Sequence, residues 1–415
     1  MTRHTGSVLL VLAATACVAA CDGGPASAPS AAVVTAAAGG VHEAALTLDT
    51  HVDIPFDFAT PAVDPRTASL QVNLEKMRRG GLDAAFFIVY VGQGARTDEG
   101  YAAAQRDALI KFDAIRRMTD ELYADLIGLA TTPDDVERLV SEGKLAAAIG
   151  IENGYVIGRD LDLLDRYYEL GARYMTLVHN GHNDIADSAQ PRADLGDAET
   201  EHGGVSAFGA RVIERMNDLG MMVDISHASK QSALDAIRLS RAPVIASHSS
   251  VYALADHPRN LDDETLIALR DNGGVVQIVA FDIYLRHDAE AVAANAALRA
   301  EFGITSPRDI ERLPEEQRTR YQQRVRELQD RWPPSTVEDL ADHIDYAVRL
   351  IGIDHVGISS DFGGGGGIVG WQDADETPAV TRALEARGYT REEIEKLWSG
   401  NLLRVWREVE RAARR

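Results

Sequence analysis

Cysteine is nearly missing from this chain. Its only two cysteines, Cys17 and Cys21, lie within the first 21 residues. Everything downstream forms no disulfide and offers no thiolate to a metal. A metal held there needs imidazole and carboxylate ligands, a donor set that suits zinc. Positive charge is also short. Lys and Arg total 42 against 64 Asp and Glu, a formal charge of -22. That balance argues against nucleic acid or acidic lipid as a partner. No apolar run is long enough to cross a bilayer, and no repeat at solenoid spacing is visible. With 415 residues, 45% of them hydrophobic, the chain can build one large core, and α/β barrels run long as single domains.

The first residues read as an export signal. Arg3 precedes the apolar stretch Val8–Val18, which is too short to span a membrane. Val18-Ala19-Ala20-Cys21 resembles a bacterial lipobox, in which Cys21 becomes the lipidated first residue. An ordinary signal peptide with an incidental cysteine is the alternative. Asp22 resembles the retention signal that keeps some lipoproteins on the inner membrane. The expectation is a lipoprotein signal peptide over residues 1–21 and a flexible Ala, Gly, Ser and Pro tether over 22–43, followed by a barrel over 44–415. Such a protein is exported, and only its lipid touches the membrane on the periplasmic or other extracytoplasmic side.

Eight apolar runs follow and read as strands: Ala45–Leu48 leading into His51, Ala84–Val91, Leu145–Ile151, Arg173–Val178, Met221–Ile225, Val244–Ala246, Val275–Ala280 and Val356–Ser359. Between them, Ala102–Met118 and Ala207–Leu219 carry apolar residues at helical spacing. Strand alternating with helix eight times predicts an α/β fold, the (β/α)8 TIM barrel. Residues 285 to about 332 break the rhythm as a charged helical insertion between strands seven and eight, with helices expected at Ala289–Phe302 and Glu315–Arg331. It is either a lid or pocket wall, or a peripheral decoration.

Barrels carry their chemistry at the C-terminal ends of the strands. His51, Asp53, Glu152, His227, His248 and Asp361 all end apolar runs. Two apart on a strand, His51 and Asp53 share a face, with bases about 6–7 Å apart, and both can reach one metal. Glu152 closes Ala146–Ile151, where a carboxylate is costly unless paired or metal-bound, and its two oxygens can bridge two metals. One histidine in such a place is more often structural, but several at successive strand ends read as ligands. Asp224 and Ser249 are candidates to fix their outer nitrogens. Asp361 can pass a proton from water to a leaving amine, or can cap or ligate instead. His179 ends strand four and can touch the attacking hydroxide or polarise the scissile carbonyl. The other histidines after the leader, His42, His182, His202, His257, His287, His343 and His355, read as solvent-facing or structural.

Taken in order, Asp49-Thr50-His51-Val52-Asp53, Gly150-Ile151-Glu152, Thr176-Leu177-Val178-His179, Val223-Asp224-Ile225-Ser226-His227, Ser247-His248-Ser249-Ser250, His257-Pro258-Arg259-Asn260 and Ser360-Asp361-Phe362 resemble the renal (membrane) dipeptidase family, peptidase family M19 of the amidohydrolase superfamily. The resemblance covers roughly residues 45–410. It implies two zinc ions per chain, with His51 and Asp53 on one, His227 and His248 on the other, and Glu152 bridging. It implies that a hydroxide shared by the ions attacks a dipeptide and that Asp361 shuttles the proton. His179 would contact substrate or intermediate. Arg259 would pair with the C-terminal carboxylate, a planar anion that suits an arginine fork. Acceptance of a D-residue at that position stays open, and a homodimer is a further implication. The chain departs from the family's usual pattern at Asn153, where glycine is common, and at Gly363, where an acidic residue is. A lactone, amide or β-lactam hydrolase of the same superfamily is the alternative. Arg259 argues against it, and no lysine ends a strand to serve as a carbamylated bridge. A non-catalytic protein that captures peptides or metal would have no use for Asp361.

Overall fold

Short apolar runs without alternation are what parallel strands covered on both faces require. The computed structural model describes residues 40–304 and 307–414. Cys21, the expected signal peptide and most of the expected tether lie outside the described residues. At the end of the tether, Val41–Ala44 form a helical turn. There His42 is buried, with its Nδ1 2.7 Å from Thr381 Oγ1 and its Nε2 2.9 Å from the Gly80 carbonyl.

The strands are β1 (Leu48–Asp53), β2 (Ala84–Tyr90), β3 (Ile127–Leu129), β4 (Leu145–Glu152), β5 (Ala172–Thr176), β6 (Met222–Asp224), β7 (Ile245–Ser249), β8 (Val275–Val279) and β9 (Val356–Ser359). All but β3 follow one another in the order β1-β2-β4-β5-β6-β7-β8-β9, each pair parallel. The two ends meet where Val52 bridges Phe362 and the Asp53 N–H donates to the Phe362 carbonyl at 2.8 Å. With helices on the outside, this is the (β/α)8 barrel the sequence predicts. The unexpected strand, β3, adds three residues beside β4 off the ring.

Alternate residues of a strand face opposite ways. Phe87, Val89, Ile149 and Ile151 share a core with Phe112 and Ile115 of the helix Asp98–Arg116, here α1. Phe86, Ile88, Ala146 and Ala148 share a second core with Trp406 of the C-terminal helix. Every residue of β4, Glu152 included, is buried.

The helix α2 (Ala207–Leu219) starts and stops where local chemistry dictates. Ser206 caps it by accepting from the Gly209 N–H, and Gly220 ends it at φ 80°. Between β8 and β9 lie α3 (Ala289–Glu301) and α4 (Glu315–Arg331), the expected insertion helices. Leu298, Ile304 and Tyr321 give this segment a small core of its own. Among the described residues, no helix is long and apolar enough to cross a membrane.

Candidate metal centre and cleft

The strands that carry the polar rim are irregular. Pairing slips between Asp49 and Val52 on β1, and between Ala246 and Ser249 on β7. Such slips re-aim side chains, and here they bracket His51 and His248. Glu152 lies among the imidazoles. Its Oε2 is 3.5 Å from His51 Nε2. Its Oε1 is 3.0 Å from His227 Nε2, 3.3 Å from His248 Nε2 and 3.7 Å from His179 Nε2. The His227 and His248 Nε2 atoms are 2.9 Å apart. His51 Nε2 is also 3.5 Å from Asp53 Oδ2 and 3.9 Å from Asp361 Oδ1.

These separations have the scale of a metal's coordination shell. Tetrahedral zinc with bonds of about 2.0–2.1 Å sets its ligand atoms roughly 3.4 Å apart. The Nε2 of His51 is moreover buried with no hydrogen-bond partner, which is costly for a polar atom that meets nothing. Three overlapping groups, His51–Glu152–His248, Glu152–His179–His227 and His51–Asp53–Asp361, each gather ligand atoms within 4.8 Å of one another. All seven strand-end residues therefore converge, and the residue types and spacing fit zinc.

Burial opposes charge on each group, and neighbours decide the outcome. Burial pulls His51 toward neutrality, but the Glu152 and Asp53 carboxylates prevail and hold its pKa well above the usual value. Burial, reinforced by Arg259, holds His227 well below it. Burial with the neighbouring His51 lowers His248 to about 4. Burial, together with the Asp53 and Glu152 charges, pushes the Asp361 carboxyl well above the usual range despite the opposing His51.

The outer nitrogens are held. His227 Nδ1 lies 3.1 Å from Asn180 Oδ1. His248 Nδ1 lies 2.8 Å from the Ser247 hydroxyl, which donates to Asp224 Oδ2 at 2.6 Å. Asp224 thus serves as expected, but through Ser247. The Ser249 hydroxyl is buried without a partner. His227 and Asp361 sit in the left-handed region, at φ 64° and 57°. Non-glycine residues are uncommon there and tend to cluster at working sites. Gly364 lies against both carboxylates of the rim: a Cβ there would be 2.3 Å from Asp361 Oδ1 and 2.5 Å from Asp53 Oδ2.

The centre opens into a cleft of about 580 Å³. Glu152, His179, His227 and Asp361 form part of its lining, and Phe56, Tyr90, Lys111 and Tyr284 form another part. Arg259 is buried. Its Nη2 donates to the His248 carbonyl at 3.0 Å, and its guanidinium lies 5.2 Å from the Tyr284 ring. Tyr284 lines the cleft and Arg259 does not. None of the described residues of α3 or α4 lines the cleft either. A larger groove of about 650 Å³, lined by residues such as Tyr252 and Pro258, contains none of the strand-end residues.

The remaining histidines are structural where buried. His182 accepts from the Ser188 N–H at 2.9 Å. Burial lowers His257 and His343 to about 4. No sequence pattern marks Ser247, Asn180, Lys111 or Tyr284, nor plainly Tyr174, whose hydroxyl is 3.0 Å from His51 Nδ1. Only the fold brings them to the site. Tyr174 alone carried a signal: it starts the run that ends in His179, on the face that Thr176 shares.

Comparison with known proteins agrees over nearly the whole chain. The sequence profile of the membrane dipeptidases, peptidase family M19, matches residues 35–415. The dipeptidase tcpJ of Claviceps purpurea is 33% identical over 347 residues, which cover 82% of this chain and 70% of that protein. The dipeptidase aclJ of Aspergillus oryzae is 33% identical over 350 residues, 83% of this chain and 71% of that protein. The crystal structure of the probable dipeptidase PvdM from Pseudomonas aeruginosa shares 35% identity at a TM-score of 0.79, covering 90% of this chain and 97% of that one.

Proposed function

The chain belongs to the membrane dipeptidase family, peptidase family M19, and on that premise we propose that this metallo-dipeptidase cleaves dipeptides at a site for two zinc ions. His51, Asp53 and Glu152 would hold one ion. His227, His248 and the other Glu152 oxygen would hold the second. When bound, the ions would supply Lewis acidity, ionising water near neutral pH and polarising the scissile carbonyl. The observation that carries this reading is the division of Glu152: its two oxygens address different imidazoles, while His51 Nε2 is buried without a partner.

The chain's own groups do the rest. Asp361 takes the proton of the attacking water and delivers it to the leaving amine. Its burial supports this, because a carboxyl that readily holds a proton can also return one. His179 lines the cleft and hydrogen-bonds the carbonyl oxygen as charge develops on it. Arg259 lies beside the cleft-lining Tyr284 with its buried Nε unpartnered, and through that free donor capacity it would pair with the substrate's C-terminal carboxylate. Phe56 and Tyr90 give the cleft an aromatic wall beside the reacting groups, against which a substrate side chain would pack.

Elemental analysis of zinc-loaded protein should approach two ions per chain. His227→Ala and His248→Ala should each lower it toward one and nearly abolish turnover. A full double load in either variant removes these histidines from the ligand set. A panel of L,L and L,D dipeptides tests the substrate class and the acceptance of a D-residue at the C-terminal position, and no turnover of any of them refutes the reading.

The leader pattern supports a second proposal, an exported lipoprotein lipidated on Cys21. Cys21→Ser should release the chain from membranes or leave its precursor uncut, and membrane retention of a processed, unlipidated chain counts against it. A homodimer, implied by the family resemblance, is a separate proposal, and a single-chain mass by sedimentation would end it.

A further inference from the structure

A histidine presents its metal-binding lone pair only if its other nitrogen carries the proton, and that depends on what the other nitrogen faces. His51 faces a tyrosine. The Tyr174 hydroxyl is 3.0 Å from His51 Nδ1 and donates to the Thr50 carbonyl at 3.0 Å. A phenol has one proton, and a carbonyl can only accept it. The Tyr174 proton therefore goes to Thr50, and its oxygen is left to accept from His51 Nδ1–H. The lone pair then lies on Nε2, which faces Glu152 and Asp53.

The same accounting holds for His248. Ser247 Oγ lies between His248 Nδ1 at 2.8 Å and Asp224 Oδ2 at 2.6 Å. Asp224 also accepts the Ser226 and Ser247 N–H groups, as a carboxylate does. The one hydroxyl proton goes to that acceptor, so Ser247 accepts from His248 Nδ1–H. The Ser247 side chain also interacts with the Tyr174 hydroxyl. The two relays thus meet beneath the centre.

Room for the tyrosine comes from Gly150, two residues before Glu152 on the same strand face. A Cβ at Gly150 would lie 2.2 Å from Tyr174 Cζ. The ring packs 5.2 Å from that of Phe86 and is buried.

We propose that Tyr174 is a positioning residue of the metal centre, which with Ser247 and Asp224 fixes His51 and His248 as the tautomers whose Nε2 atoms bind metal. The inference rests on the proposed ligand roles of His51 and His248.

The test uses the full chain loaded with zinc. Tyr174→Phe keeps the ring and removes the hydroxyl. Competition with a chelator should show one ion bound about 10- to 100-fold more weakly, the usual cost of losing such an outer partner. Ser247→Ala should weaken the other ion in the same way. Equal zinc affinity in wild type and Tyr174→Phe overturns the proposal, even if thermal stability falls, because a purely structural tyrosine changes stability alone. If the variant does not fold, 15N-histidine spectra of the zinc-loaded wild type decide: His51 should carry its proton on Nδ1, and a bare Nδ1 overturns the proposal. Wild type that takes up no metal would instead defeat the ligand assignment itself, so the two failures are distinguishable.

Discussion

Gly364→Ala separates the working geometry of the rim from its stability. The added Cβ would sit 2.3 Å from Asp361 Oδ1 and 2.5 Å from Asp53 Oδ2. Both are about 1 Å short of ordinary contact. The backbone at Gly364 is not among those with positive φ, so alanine meets no conformational penalty there. The atoms in the way are the ends of two side chains, which can turn aside. Folding should therefore change little. The carboxylates, however, move by about 1 Å, and a displacement of that size can cost 100-fold in rate. We expect kcat/KM to fall about 100-fold, or about 2.7 kcal/mol in transition-state binding. Zinc held through Asp53 should weaken as well. Gly92→Ala is the control, because its nearest neighbour, the Tyr90 hydroxyl, is 3.6 Å away. The assays are dipeptide turnover, metal content and thermal unfolding on the same preparations. Turnover within about threefold of wild type, with two ions bound, would refute the placement of Asp53 and Asp361 around this glycine.

Asp361→Asn keeps the size of the side chain but removes the base, so kcat should fall at least about 100-fold with metal retained, and near-normal turnover would leave Asp361 a structural group. Arg259→Ala and a C-terminally amidated dipeptide should each lower kcat/KM by roughly 100-fold, and the two losses should not add, because both delete one contact. An additive result would show that Arg259 holds the loop and not the carboxylate. His343 is buried, accepting from the Val251 N–H and facing the Leu285 carbonyl, and burial lowers its pKa from 6.5 to about 4. Its contribution to stability is therefore present above pH 6.5 and is lost as pH falls toward about 4. At pH 5 the loss is about 2 kcal/mol, and His343→Gln should flatten the fall of the unfolding midpoint between pH 7 and 5. An unchanged slope would exclude His343 as its source.

The barrel was legible because eight apolar runs alternate with helical segments and six of them lead into a charged or imidazole residue, a pattern with few other uses. β3 was not, because three residues, Ile-Gly-Leu, carry no periodicity. The strand-end residues could be named from sequence, whereas their outer partners could not. Ser247 and Ser249 flank His248 symmetrically, and only the pairing of β6 with β7, which sets Asp224 opposite Ile245, brings Ser247 to Asp224. Lys111 looks like any residue of an amphipathic helix until α1 is laid against Phe56 and Tyr90. The insertion shows a similar limit. Its helices are readable, but whether they cover the cleft depends on the direction in which the loop leaves the barrel, which no local pattern encodes. His42 proves to be one of the structural histidines, although nothing local marks its contact with Thr381, 339 residues away.

The left-handed backbone at His227 and Asp361 has an evolutionary consequence. A non-glycine residue held there stores roughly 1–2 kcal/mol, somewhat less for aspartate. Asp361 adds the cost of a buried carboxyl. Glycine or asparagine at 361 would relieve both, and a single nucleotide change from an aspartate codon reaches either. Selection on stability alone would therefore drift toward a sturdier protein with an intact barrel and no turnover. Sequences with glycine at 361 would be expected among duplicated copies freed from catalysis. Their fold would outlast their chemistry, since the residue proposed to shuttle the proton is one the barrel is more stable without.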